Sequence, residues 1–166
     1  MSEKEMPKPD FLTDEQWKDL LQGRVSPDLT RVQSREHARL YQATQGGGGT
    51  DATQGAPTLL LTTIGRKSGR EITTPLNYVQ HGDSVIVVGS LFGFKDHPHW
   101  VLNLEKEPRA WVQVKAEKWP ANVHRATPEE KNQLWPMLTA HFPLWGHFQK
   151  YCERDFRVFF LSPKKA

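Results

Sequence analysis

Ahead of the glycine run at Gly46 the apolar positions are sparse and spaced for helices; from Thr58 onward they arrive in runs that suit strands. Met1 to Asp10 is polar and interrupted by proline, which predicts a mobile tail. Thr13-Asp14-Glu15-Gln16 opens a short helix, with Thr13 as N-cap and Gln16 completing a capping box. Pro27-Asp28 starts a second helix reaching about Ala43, whose apolar positions Leu29, Val32 and Leu40 form only a narrow stripe. Gly46-Gly47-Gly48-Gly49 then breaks regular structure. It reads as a hinge rather than a phosphate loop, because no strand precedes it and it lacks the Lys-Ser/Thr of a Walker loop.

Thr58 to Thr63 is a continuous run that suits a strand buried on both faces. A glycine-bounded turn, Gly65 to Arg70, leads to a second strand, Ile72 to Val79, and His81-Gly82-Asp83 turns it into a third, Ser84 to Gly89. Pro98 to Glu105 reads as a helix with proline at its start. Arg109 to Lys115 and Ala121 to Arg125 are strands. Thr127-Pro128-Glu129-Glu130 combines N-cap, first-turn proline and capping box at the head of a helix bearing Leu134, Met137, Leu138 and Phe142. Pro136 is expected to kink that helix, and Arg157 to Ser162 is a last strand. Hairpins with short intervening helices favour an α+β domain or a small closed barrel over a doubly wound sheet. The chain has no Gly-x-Gly-x-x-Gly, which argues against a Rossmann nicotinamide site.

At 166 residues the chain is sized for one domain with a short appendage. Cys152 is its single cysteine, so neither an intrachain disulfide nor a cysteine-rich zinc site is available. Without a secretory signal the expected compartment is the cytoplasm. No stretch approaches the ~20 apolar residues of a membrane span, while peripheral membrane contact stays open. The net charge of +3 is scattered except at Arg66, Lys67 and Arg70, which suits a small anionic ligand better than a nucleic acid.

Gly65-Arg66-Lys67-Ser68-Gly69-Arg70 offers three cations, a hydroxyl and exposed backbone N–H groups, either an anion nest or an ordinary solvated hairpin tip. Thr73-Thr74-Pro75 adds hydroxyls to the same edge. At the end of a strand, Gly89 would let a planar ligand approach the backbone, and Ser90 could bond a ring carbonyl or nitrogen. His97-Pro98-His99-Trp100 has the wrong spacing for a metal pair and no completing carboxylate. Trp100 packs beside a ligand or into the core, with Asn103 on its helix face as a polar partner. No nucleophile elbow and no paired acids are evident, which suits a reaction carried by a cofactor.

Leu59 to Gly69, Thr74-Pro75-Leu76, Ser90, His97 to Leu104, Ala126 to Glu130 and Leu134-Trp135-Pro136 together resemble the deazaflavin-dependent nitroreductase family, the A-type branch of the flavin/deazaflavin oxidoreductases. The resemblance runs from about Arg35 to Pro163, leaving residues 1–34 as an N-terminal helical extension to a domain at 35–166. It implies a split β-barrel of the FMN-binding type with short flanking helices, and coenzyme F420 as hydride donor. Arg66, Lys67 and Ser68, with Arg70 nearby, would hold the cofactor's phosphate and acidic tail. Ile72, Thr73, Thr74, Pro75, Leu76 and Asn77 would run beneath the ring, and Val88, Gly89, Ser90 and Leu91 along its other edge. His99, Trp100, Val101, Leu102 and Asn103 would add backbone and ring contacts. Ser90 and Asn77 would stand near the reacting centre, with Trp145 as the stacking wall. Phe142, Trp145 and Phe148, at three-residue spacing, would form an aromatic lid over an apolar acceptor, or else a core stripe. The acceptor would be a quinone, an activated alkene or a nitro compound. Departures from the family pattern are Leu91-Phe92-Gly93 in place of Lys-Gly-Gly, Ile72 in place of a basic residue, and Asn77 in place of an aromatic. The alternatives are an FMN-binding split-barrel oxidoreductase, and a non-catalytic binder of the deazaflavin or an apolar ligand. The N-terminal helices, with Lys18, Arg24, Arg31, Arg35 and Arg39, fit a membrane-surface contact, a lid or a dimer contact.

Overall fold

The computed structural model describes residues 6–25, 27–45 and 57–164. Seven antiparallel strands run as β1 (Thr58–Ile64), β2 (Glu71–Asn77), β3 (Val79–His81), β4 (Ser84–Val88), β5 (Ala110–Val114), β6 (Glu117–Arg125) and β7 (Val158–Pro163). Five helices accompany them: α1 (Asp14–Val25), α2 (Pro27–Thr44), α3 (His99–Lys106), α4 (Pro128–His141) and α5 (Pro143–Lys150). The strand order is β2-β1-β5-β6-β7-β4-β3. β2 and β3 therefore lie at opposite ends of the sheet, yet only Tyr78 separates them in the chain. One residue cannot span an open seven-stranded sheet, whose strands are about 4.8 Å apart. The sheet must curl until its edges meet, and the fold is an α+β split β-barrel. The single strand expected at Ile72 to Val79 is thus two, broken where the buried Tyr78 donates its N–H to Pro57 O at 3.1 Å.

Strand alternation divides the core into layers. Val85 and Val87 of β4 face the barrel interior with Leu59, Leu61, Trp100, Val101 and Phe159. Ile86 and Val88 face outward to a second cluster with Leu138, Leu144, Trp145, Phe148 and Phe156. β1 is buried on both faces because α2 covers its outer side through Ala38 and Tyr41, which pack on Leu60. The Tyr41 hydroxyl donates to Thr58 O (3.1 Å) and accepts from Lys115 N–H (2.7 Å), tying the helix to β1 and to the β5–β6 turn. Leu40, expected on the buried stripe, is instead 48% exposed.

Both capping boxes form: Gln16 N–H donates to Thr13 Oγ1 at 3.1 Å, and Glu130 N–H to Thr127 Oγ1 at 3.2 Å. α4 runs through Pro136 to His141, and the break falls at Phe142, where Pro143 starts α5. β6 begins at Glu117 rather than Ala121, and Ala121 pairs with both Ala110 and Pro163. The expectation of a mobile tail fails for residues 6–10. Met6 is buried and Pro7 O accepts from His147 Nε2 at 2.7 Å, so this segment is docked on α5. The glycine run at 46–49 lies outside the described residues.

Candidate active site

The turn between β1 and β2 is closed by Gly65 N–H to Arg70 O (2.7 Å) and Gly69 N–H to Gly65 O (2.8 Å). A Cβ at Gly65 would lie 2.6 Å from Ser68 Oγ and 2.9 Å from Ile72 Cδ1, so any other residue there would displace both side chains. Ser68 Oγ accepts from Arg70 N–H at 3.2 Å. Lys67, Ser68 and Arg70 are exposed, whereas Arg66 is half-buried.

Its rigidity comes from α3. Asn103, 1% exposed, accepts on Oδ1 from Arg66 N–H (3.1 Å) and Arg66 Nη1 (3.2 Å) and donates from Nδ2 to Thr63 Oγ1 (3.2 Å). Arg66 Nη1 also donates to His99 Nδ1 at 3.3 Å, which requires that nitrogen to be unprotonated. Lys106 Nζ donates to Arg66 O at 3.0 Å. His99, Asn103 and Lys106 recur at helical spacing, so one face of α3 grips the turn. Among the described residues no carboxylate lies within ion-pair reach of Arg66, Lys67, Arg70 or Lys106. Three cations on the turn and Lys106 of α3 beside it, with no carboxylate partner among the described residues, make this turn a candidate anion site.

β2, the edge strand beside this turn, carries the half-buried Thr73, Thr74, Pro75, Leu76 and Asn77. The Thr73 hydroxyl bonds that of Thr62 at 2.8 Å, and Asn77 Nδ2 donates to Thr58 Oγ1 at 3.5 Å. Ile72 is 42% exposed, leaving an apolar surface next to the cations. At the other edge, a Cβ on Gly89 would stand 2.7 Å from Val101 Cγ2 and 3.3 Å from Arg157 O. The close approach expected for a ligand at Gly89 is therefore occupied by α3, and the glycine lets that helix dock. Ser90 and Leu91 are half-buried just beyond it.

The remaining expected contacts divide. The Trp100 and Val101 side chains are buried in the barrel core, with Trp100 edge-on to Phe159 at 5.7 Å, so only their backbone is available to a ligand. His99 is exposed and Leu102 half-buried. Phe142, Trp145 and Phe148 are all buried, Trp145 being 2% exposed and edge-on to Phe142 at 4.9 Å. They share a cluster with Met6, Leu12 and Trp17, so here the stripe is core, closed by the N-terminal segment. The structure brings together the turn, the α3 face and the end of β4; the aromatic stripe lies in the outer cluster behind Val88.

His97 and His99 diverge. His97 Nδ1 is buried without a hydrogen-bond partner among the described residues, and burial lowers the pKa of the ring, with Arg157 and Arg154 adding repulsion. Arg154 carries no pattern in the sequence that marks it, yet its guanidinium binds three carbonyls of the 89–94 loop. A separate cleft of about 250 Å³ at the start of α4 is lined by Arg125, Lys131, Asp155 and Arg157. Its cations already face carboxylates, Arg157 and Arg125 on Glu105 and Lys131 on Asp155, so it does not rival the turn as an anion site.

A curled antiparallel barrel with a cationic turn at one edge defines a split-barrel cofactor-binding protein. Residues 33–163 match the F420H(2)-dependent quinone reductase family, and the chain belongs to it. It is 33% identical to Rv3178 of Mycobacterium tuberculosis over 108 residues that cover 65% of this chain and 91% of the relative. Rv1261c of the same organism, named as an F420H(2)-dependent quinone reductase, is 29% identical across 71% of this chain and 78% of its own. Among solved structures, an F420-H2 dependent reductase (FDR-A) superposes with a TM-score of 0.58 at 28% identity, covering 64% of this chain and 94% of that one. A chain described as a domain-swapped dimer gives 0.60 at 27% identity, covering 82% and 100%. As a member of this family the chain is an F420H2-dependent reductase with coenzyme F420 as its cofactor.

Proposed function

We propose that the chain transfers a hydride from reduced F420 to a quinone, with activated alkenes and nitro compounds as further acceptors, at the edge formed by the 65–70 turn, β2 and the end of β4. The observation that supports this reading is the set of four cations, Arg66, Lys67, Arg70 and Lys106, without carboxylate partners among the described residues, on a turn that the buried Asn103 anchors through Arg66. Arg66, Lys67, Ser68 and Arg70 fit an anionic tail: Arg66 presents a fork, Lys67 a mobile point charge and Ser68 a hydroxyl. Thr73 to Asn77 would supply the floor for the ring, and Ser90 and Asn77 the polar contacts near the acceptor. When bound, the deazaflavin supplies two electrons as hydride, and the chain's part is to orient it and keep water from it. Ile72 and Leu91 give the ring side an apolar lining, which favours a hydrophobic acceptor.

Titrating the protein with F420 and with FMN, each followed by fluorescence, tests the cofactor. Saturable F420 binding with weak or absent FMN binding is expected; tight FMN binding without F420 binding overturns the reading. Anaerobic mixing of the reduced complex with a quinone, an enone and a nitroaromatic then ranks acceptors. Oxidation of the bound cofactor by none of the three would make the chain a deazaflavin carrier rather than a reductase.

A further inference from the structure

Arg154 lies between α5 and β7, outside every segment assigned to the site. Its Nη1 donates to Gly89 O at 2.7 Å, Nη2 to Ser90 O at 2.9 Å and Nε to Phe94 O at 3.1 Å. The guanidinium sits over the Phe156 ring at 4.8 Å. The loop it holds cannot be expected to hold itself. Leu91 (φ 38°) and Gly93 (φ 71°) are both left-handed, in a single three-residue 3-10 turn. Its internal bonds are Gly93 N–H to Ser90 O and Phe94 N–H to Leu91 O. Gly89 O and Phe94 O lie outside the β4–β7 ladder and accept from Arg154, Phe94 O also from Cys152 Sγ at 3.7 Å.

Arg154 is itself fixed from α5. Gln149 Nε2 donates to Arg154 O at 2.9 Å, while Gln149 Oε1 accepts from Phe156 N–H at 2.8 Å and Lys131 Nζ at 3.0 Å. A planar five-donor head bridging three carbonyls is geometry that lysine cannot reproduce. Desolvation disfavours the half-buried cation, and charge-assisted bonds to three carbonyls offset that cost.

We infer that Arg154 is a positioning residue of the reductase, setting the Gly89–Phe94 loop so that Ser90 and Leu91 meet the ring edge without itself touching the cofactor. The inference rests on the site proposed above. It is tested with Arg154→Met, which keeps the stem over Phe156, and Arg154→Lys, which keeps the charge; Arg109→Ala, an exposed residue paired to Glu107, is the control. For each folded variant the midpoint of thermal unfolding, the F420 dissociation constant, and kcat and KM with a quinone are measured well below that midpoint. The expected result is a drop in kcat of about tenfold or more for both Arg154 variants, as for a lost charged hydrogen bond. Their F420 affinity should fall less, because the cationic turn is untouched, and the quinone KM should move little. A variant that only loosened the fold would instead lower the midpoint and leave kcat per folded molecule unchanged, which overturns the inference. Should Arg154→Met fail to fold, Arg154→Lys carries the test. Wild-type protein that does not bind F420 would sink the site and this inference together, whereas normal wild-type turnover with unaltered Arg154 variants would sink this inference alone.

Discussion

Asn103 is the residue on which the proposed anion site turns. Its amide is buried and satisfied on both sides, by Thr63 below and Arg66 above. Asn103→Ala strips partners from Arg66 N–H and the Thr63 hydroxyl, a change expected to cost about 1–3 kcal/mol. Denaturant unfolding should show that loss, and F420 titration should show weaker binding, while Asn103→Asp adds a carboxylate beside the cations and should weaken F420 binding further. A second residue-scale prediction concerns His97. Burial lowers its pKa below the ordinary 6.5, so the unfolded chain takes up the proton first as pH falls. Its contribution to stability is therefore complete above the unfolded value and is lost as pH drops through that value toward the folded one. Unfolding midpoints recorded between about pH 7.5 and 5.5 should fall for the wild type and fall less for His97→Gln. At this scale the sequence was legible where chemistry is local: the three cations of the turn, and Asn103 as a polar partner on the helix face of Trp100. Arg154 was not legible, because Glu153-Arg154-Asp155 looks like any solvated loop until the fold brings Phe94 beside it.

Element-scale predictions follow from how helices meet the barrel. Gly89→Ala would place a methyl 2.7 Å from Val101 Cγ2 and force α3 away from β4, at a cost of about 1–3 kcal/mol. Val101→Ala removes the obstructing methyls. The double variant should lose less stability than the sum of the two singles, and additive losses would mean that the crowding is not where the geometry puts it. At the head of α4, Thr127→Ala should cost about 1 kcal/mol, since it removes the acceptor for Glu130 N–H. Elements with strong local signals were readable from the chain: both capping boxes, the doubly buried β1 and the turn that follows it. Those decided by tertiary partners were not. β6 starts four residues early for its pattern because Lys118, Trp119 and Pro120 find ladder partners in β5. Tyr78 ends β2 because the barrel edge, rather than any breaker residue, requires the chain to change neighbours there.

On the scale of the whole molecule, the sheet separates two cores that the aromatic spacing alone could not tell apart. The cationic turn and α3 belong to the barrel side, whereas Phe142, Trp145 and Phe148 belong to an outer cluster completed by Met6, Leu12 and Trp17. The N-terminal segment precedes the residues shared with the family, yet it is joined to α5 through the His147–Pro7 bond and the rings of Phe11 and Trp17 around His147. Its packing therefore bears on stability and on the outer cluster around Trp145, not on the cationic turn. Trp17→Ala should lower unfolding stability by about 3 kcal/mol, the scale of a buried aromatic truncation. The F420 dissociation constant should stay within about twofold of wild type, because residues separated by a sheet with no shared partners behave additively. If F420 affinity collapses together with stability, the two cores are coupled, and the segment is part of the site. If affinity holds while larger quinones turn over faster than smaller ones, Trp145 faces the acceptor once uncovered, and the N-terminal segment sets how much room the acceptor has.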